Sequence, residues 1–230
     1  MMKKGLIGCG GCLGLIIIIV IISAAINGTT RNTSSNSNST SPSNTSTTNT
    51  ATVTVVPTRQ VVRTSVTLGA GTFQGGKDVA VGLYDVTTQN GESGNFIVSG
   101  TDSIDEILGI ADGQGVAKVR TKISSDDKIE ISSLNHVIFT PVTAPSVTTY
   151  KKTTLYAGTW TVGQDIAPGR YVATTTAGSS GNFIVSGVDD IDEILGIADG
   201  QGVANVTTDL SSGDTIDISS LNEVDLTPTK

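Results

Sequence analysis

The stretch "IDEILGIADGQGVA" occupies residues 104 to 117 and returns, letter for letter, at 191 to 204. It belongs to a longer duplication. "GNFIVSG" starts at Gly94 and again at Gly181, and the same offset of 87 residues holds without a gap from about Thr67 to Pro141. Solenoids stack three or more short units, whereas two long ungapped copies point to duplication of a complete domain. Each copy has enough chain for one modest core. The expected organisation is a repeat at 66 to 142, a linker at 143 to 153 ("TAPSVTTYKKT") stiffened by Pro145, and a second repeat at 154 to 230.

Residues 5 to 26, "GLIGCGGCLGLIIIIVIISAAI", carry no charge and are long enough to cross a hydrocarbon layer about 30 Å thick. Lys3 and Lys4 precede this run and no basic cluster closely follows it, so the positive-inside bias puts the N-terminus in the cytoplasm and the remainder outside. The alternative is a signal sequence cleaved after the small residues Ser23, Ala24 and Ala25; both readings export the rest. Cys9 and Cys12 lie inside the apolar run, which supplies neither further zinc ligands nor a redox context. No cysteine follows, so no disulfide holds the exported part. Residues 27 to 65 are dominated by Ser, Thr and Asn and cannot bury enough apolar surface to offset chain entropy; they read as a disordered stalk.

Inside the repeats the periodicity is that of strands. "GTWTVG", "GRYVATTT", "GNFIVSG", "GVANVTTDL", "DTIDIS" and "EVDLTPT" are short and rich in β-branched and aromatic residues, with turn residues between them. The fold class expected is all-β: two tandem β-sandwich, jelly-roll-like domains preceded by one transmembrane helix and the stalk. "DDIDEILGIADG" also fits a helical face, but its flanking glycines and short length favour a strand. In that reading Ile191, Ile194, Leu195, Ile197 and Val203 pack inward while the neighbouring acids stay solvated.

The order "GTWTVGQDIAPGRY", "GNFIV", "DEILG", "GVANV", "GDTIDIS", "VDLTPT" resembles a repeat in uncharacterised membrane-anchored surface proteins of Gram-positive bacteria, lactic acid bacteria in particular. The Lys-Lys apolar anchor and Ser/Thr stalk are similar to that group's architecture. The resemblance implies a surface location and a compact β-sandwich, and it brings no catalytic residues. The first repeat departs from the pattern where "QGGKDVAVGLY" replaces "TVGQDIAPGRY", losing the counterparts of Pro168 and Arg170.

Two constellations carry candidate chemistry. Asp189, Asp190, Asp192, Glu193 and Asp199 are oxygen ligands of the kind calcium takes, and Gly200 and Gly202 would let a loop fold round an ion, although the spacing is neither that of an EF-hand nor of a nonapeptide calcium repeat. Tyr156, Trp160 and Arg170 would make a patch for stacking on sugars or anchoring a protein. The competing expectation puts Trp160 and Phe183 in the core, because each has an aromatic counterpart in the other copy, Phe73 and Phe96; Tyr156 has only Gly69.

Enzymatic readings find less. His136 is the only histidine and its counterpart is Glu223, so a triad would exist in one copy of a duplicated fold. The exported part is acidic, which argues against nucleic acid as a partner. The expectation is therefore a single-pass cell-membrane protein, not an enzyme and needing no cofactor. It would present two non-catalytic modules outside the cell for binding or adhesion to wall polymers, glycans or proteins. The alternatives are an envelope spacer or shield without a ligand, and a module stabilised by Ca2+.

Overall fold

The computed structural model describes residues 63 to 229 except 112, 144, 145 and 199. The expected membrane segment at 5 to 26, nearly all of the stalk, Pro145 and Asp199 lie outside these residues.

The described chain is all-β, sixteen strands with no helix among them. The first repeat contributes β1 (Val66–Leu68), β2 (Gly71–Gln74), β3 (Gly82–Thr88), β4 (Gly94–Ser99), β5 (Ile104–Leu108), β6 (Lys118–Ile123), β7 (Lys128–Ser132) and β8 (Val137–Val142). The second contributes β9 (Thr153–Leu155), β10 (Gly158–Thr161), β11 (Gly169–Thr175), β12 (Gly181–Ser186), β13 (Ile191–Leu195), β14 (Val206–Leu210), β15 (Thr215–Ser219) and β16 (Val224–Pro228). The ambiguous acidic stretch is thus a strand, β5 and β13, in both copies.

In the first repeat the strands run β1-β8-β3-β6 in one layer and β2-β7-β4-β5 in the other; the second repeats this as β9-β16-β11-β14 and β10-β15-β12-β13. Pairing within every layer is antiparallel. Alternation decides which face is buried. On β3, Tyr84 and Val86 point inward with Thr121 and Val119 of β6 opposite them. The ring of Phe96 on β4 meets that of Phe139 on β8 edge-on, centroids 5.8 Å apart, so the two layers close on one core in a sandwich-like arrangement. A second core holds Trp160, Tyr171, Phe183, Leu195 and Leu226.

Both cores are tied at equivalent corners. Tyr84 donates its hydroxyl to the Ala80 carbonyl at 2.7 Å, and Tyr171 to that of Ala167 at 2.8 Å. Both also carry the same blemish, since the hydroxyls of Thr121 and Thr208 are buried without a hydrogen-bond partner.

The repeats are not independent beads on a linker. Gly158 of β10 lies beside Arg120 of β6 in parallel register, and the Arg120 N–H donates to the Ala157 carbonyl at 2.9 Å. One layer of each repeat thereby joins the other in a single eight-stranded sheet, β1-β8-β3-β6-β10-β15-β12-β13. The connecting segment is pinned as well. The Val147 N–H donates to the Gly163 carbonyl, the Tyr150 hydroxyl bonds the carbonyl of Arg170, and its ring stands edge-on to Tyr171 at 5.0 Å.

Candidate functional site

Within β5 the period of two sends Ile104, Glu106 and Leu108 inward and Asp105 and Ile107 outward. The chain then turns back on the strand. Val116 bridges Leu108, the Gly109 N–H donates to the Val116 carbonyl at 2.7 Å, and the Val116 N–H to that of Ile107 at 2.8 Å. The return is so close that a Cβ on Gly115, which sits at φ +83°, would lie 2.4 Å from the Ile107 carbonyl oxygen and 2.8 Å from its side-chain methyl. Glycine is the only residue that fits both the conformation and the space. The second copy reproduces the loop bond for bond, with Gly196 to Val203 at 2.8 Å and Val203 to Ile194 at 2.9 Å.

This ordered loop holds large apolar side chains out of the core. Ile107 is 38% exposed and Ile110 57%, and their counterparts Ile194 and Ile197 are 41% and 61% exposed. The inward packing expected of Ile194 and Ile197 is therefore corrected. Ile194 neighbours the fully buried Leu195 on a strand, so it must face the opposite way, and Ile197 lies beyond the strand end on the loop. Leu195 is buried, and Ile191 and Val203 lean on the core as expected. Each repeat thus presents one pair of outward isoleucines.

The aromatic patch is placed differently from its sequence reading. Trp160 is buried in the second core, donates its indole N–H to the Tyr156 carbonyl at 2.8 Å, and stacks edge-on against the Tyr156 ring at 4.6 Å. Both rings face Arg120 of the other repeat, whose guanidinium lies 4.2 Å from the Trp160 ring. Arg120 also bonds Asp85 at 2.6 Å, Asp165 at 2.8 Å and the Tyr156 hydroxyl at 3.0 Å. Burial, then the hydrogen bond to Asp85, pushes the Tyr156 hydroxyl far above the usual range for tyrosine. Arg170 is not part of this cluster and pairs instead with Asp209 on the surface of β11 and β14. Tyr156 and Trp160 are therefore seam residues, and the three do not form one open surface.

Around this cluster the seam is polar. The Ser220 N–H donates to the Glu106 carboxylate at 2.8 Å, the Ala117 N–H to the Asn222 side-chain oxygen at 2.7 Å, and the Asn222 amide to the Gly115 carbonyl at 3.0 Å. Gly158, at φ +120°, leaves no room for a side chain, because a Cβ there would stand 2.0 Å from the Arg120 carbonyl oxygen. A groove of about 150 Å³ remains between the repeats, bordered by Asp105, Glu106, Thr159, Asp217 and Ser219. Glu106 is only 5% exposed, and burial chiefly, with Asp105 adding to it against the Ser220 bond, raises its carboxyl to about 7.

Of the expected calcium ligands, Asp189, Asp190, Asp192 and Glu193 lie among the described residues. Asp192 and Glu193 are consecutive on β13 and take opposite faces, and Asp190 accepts the Gly187 N–H at 3.2 Å. Among the described residues no three His, Cys, Asp or Glu side chains converge on a point that could hold a metal. His136 binds the Glu92 carboxylate at 2.8 Å, and that bond is the main reason the acid falls to about 2. With the Asn135 and His136 N–H groups also donating to Glu92, the arrangement clamps the β3–β4 turn to the start of β8.

Comparison with protein-family models, with curated proteins and with solved structures found no match to this chain.

Proposed function

We propose that this is an exported surface protein, held as a single pass in the cell membrane by residues 5 to 26, that presents two non-catalytic binding modules on its stalk. Each module is read as a β-sandwich of the jelly-roll kind, because the layers β1-β8-β3-β6 and β2-β7-β4-β5 follow the order of two nested Greek keys. Among envelope polymers, glycans and proteins, a protein ligand is favoured. The observation that carries this is the duplicated loop, which spends left-handed glycines and three backbone hydrogen bonds on holding an isoleucine pair in solvent in both copies. Exposed aliphatic side chains suit a protein surface, whereas sugars are held by stacking on aromatic faces, and Trp160 is committed to the seam. Two identical sites on one chain add avidity.

The test is retention of the full-length protein on cell-envelope preparations, before and after protease treatment of those preparations. Wild-type protein is expected to be retained and to lose retention after proteolysis; I110D or I197D should weaken it, and I110D/I197D should remove it. No retention of the wild type, or equal retention of the double variant, rejects the reading.

The seam supports a second reading, a spacer or shield without a ligand, because it fixes the repeats to each other through a shared sheet. That reading expects an altered envelope on deletion of the gene and no change with I110D/I197D.

A further inference from the structure

The seam is heterologous: the β6 side of one repeat docks on the β10 side of the next, so two different faces are used. An arrangement of that type is not self-limiting. The first repeat keeps its own copy of the β10-type face on β2, and the second keeps its own copy of the β6-type face on β14. Among the described residues both lie open where their counterparts are covered. Glu193 and Thr207 are exposed while Glu106 and Arg120 are buried, and Ala70, Gly71 and Asp78 are exposed while Ala157 and Gly158 are buried.

The backbone and polar determinants of the seam outside the Arg120 cluster are present on these two faces. The Glu106–Ser220 bond has Glu193 and Ser133 in the same places, and Ser133 shares with Ser220 the left-handed conformation, φ 62° against 60°, that aims the N–H. The Asn222 bridge to Gly115 and Ala117 has Asn135 opposite Gly202 and Ala204. Gly71 stands where Gly158 admits the neighbouring strand, with Ala70 supplying the carbonyl. What differs is the ionic and aromatic centre, since Arg120, Asp85 and Tyr156 become Thr207, Val172 and Gly69, while Asp165 and Trp160 keep Asp78 and Phe73.

We infer that a second copy of this chain docks its β2 face, through Ala70, Gly71, Ser133 and Asn135, on the β14 face of the first, through Glu193, Gly202, Ala204 and Thr207, repeating the internal seam head to tail. The contact between copies is weaker than the internal one because it lacks the guanidinium cluster. It is separate from the isoleucine surface, for Ile107 and Ile110 stay exposed in the seam already formed.

Sedimentation of the full-length protein across a wide concentration range, together with a photo-crosslinking residue at Asn135, tests this. The expected results are reversible, concentration-dependent association and an intermolecular adduct to residues 202 to 207. Thr207→Arg, which would meet Asp78 and Phe73 of the next copy, should tighten association about tenfold. A chain that is monomeric at every concentration overturns the inference, whatever T207R does. An adduct confined to residues 1 to 62 of the same chain, or association with the adduct elsewhere, also overturns it, the first by showing that the chain covers its own edge. None of these outcomes bears on envelope retention by the isoleucine pairs.

Discussion

Arg120 and Asp165 come from different repeats and meet at 2.8 Å, each with a side chain almost wholly out of solvent. Asp85 holds the same guanidinium from its own repeat at 2.6 Å. Removing one member of a buried set strands the remaining charges, a loss of about 3 to 5 kcal/mol. Arg120→Ala is expected to cost about that much and to split a single thermal transition into two, one for each repeat, as read by calorimetry. One unchanged transition would show that the remaining contacts, the Glu106–Ser220, Tyr156–Asp85 and Asn222 bonds among them, hold the seam without the guanidinium.

Glu106 gives the seam a pH dependence. Burial raises its carboxyl from 4.5 to about 7, so the fold prefers the protonated form. That preference is fully expressed below about pH 4.5 and disappears as the pH rises through about 7, an effect on the order of 3 kcal/mol at most. Denaturant unfolding at a series of pH values should show stability falling across this window. Glu106→Gln, which stays neutral and still accepts the Ser220 N–H, should flatten the profile and stabilise the protein above pH 7.

Thr121 and Thr208 occupy equivalent positions and bury hydroxyls that bond nothing. A buried donor without a partner costs about 1 to 3 kcal/mol, and valine has nearly the same shape. Thr121→Val and Thr208→Val should each stabilise by about 1 kcal/mol and add in combination, because each is buried in a different repeat. Loss of stability would mean that the hydroxyls find partners in solution.

Calcium should leave the melting temperature unchanged. Asp192 and Glu193 take opposite faces of β13, and the described acids do not converge. A rise with millimolar calcium that is reversed by a chelator would instead place an ion among the acids, by mass action on the native state.

The β nature of the repeats was legible because alternation and turn residues recur in step in both copies. "IDEILGIADGQGVA" was less so. Period two correctly assigns Leu195 to the core, but reading every isoleucine as inward ignores that Ile194 follows Glu193 and precedes Leu195 on one strand. The seam was hidden for a different reason. Duplication makes identical residues look important, yet the seam's centre lies where the copies differ, at Arg120 against Thr207 and Tyr156 against Gly69. Tyr156, an aromatic without an aromatic counterpart, was the visible clue; what it faced depended on contacts between repeats that no local pattern encodes.

The internal seam also gives synthesis a direction. N-terminal units fold first as a chain emerges, so the first repeat is complete before the second exists. In that interval Asp85 already holds Arg120, while Glu106 waits at an uncovered rim for the Ser220 N–H. The second repeat then folds against a finished template, and the first passes from provisional to final stability only when its neighbour has followed it.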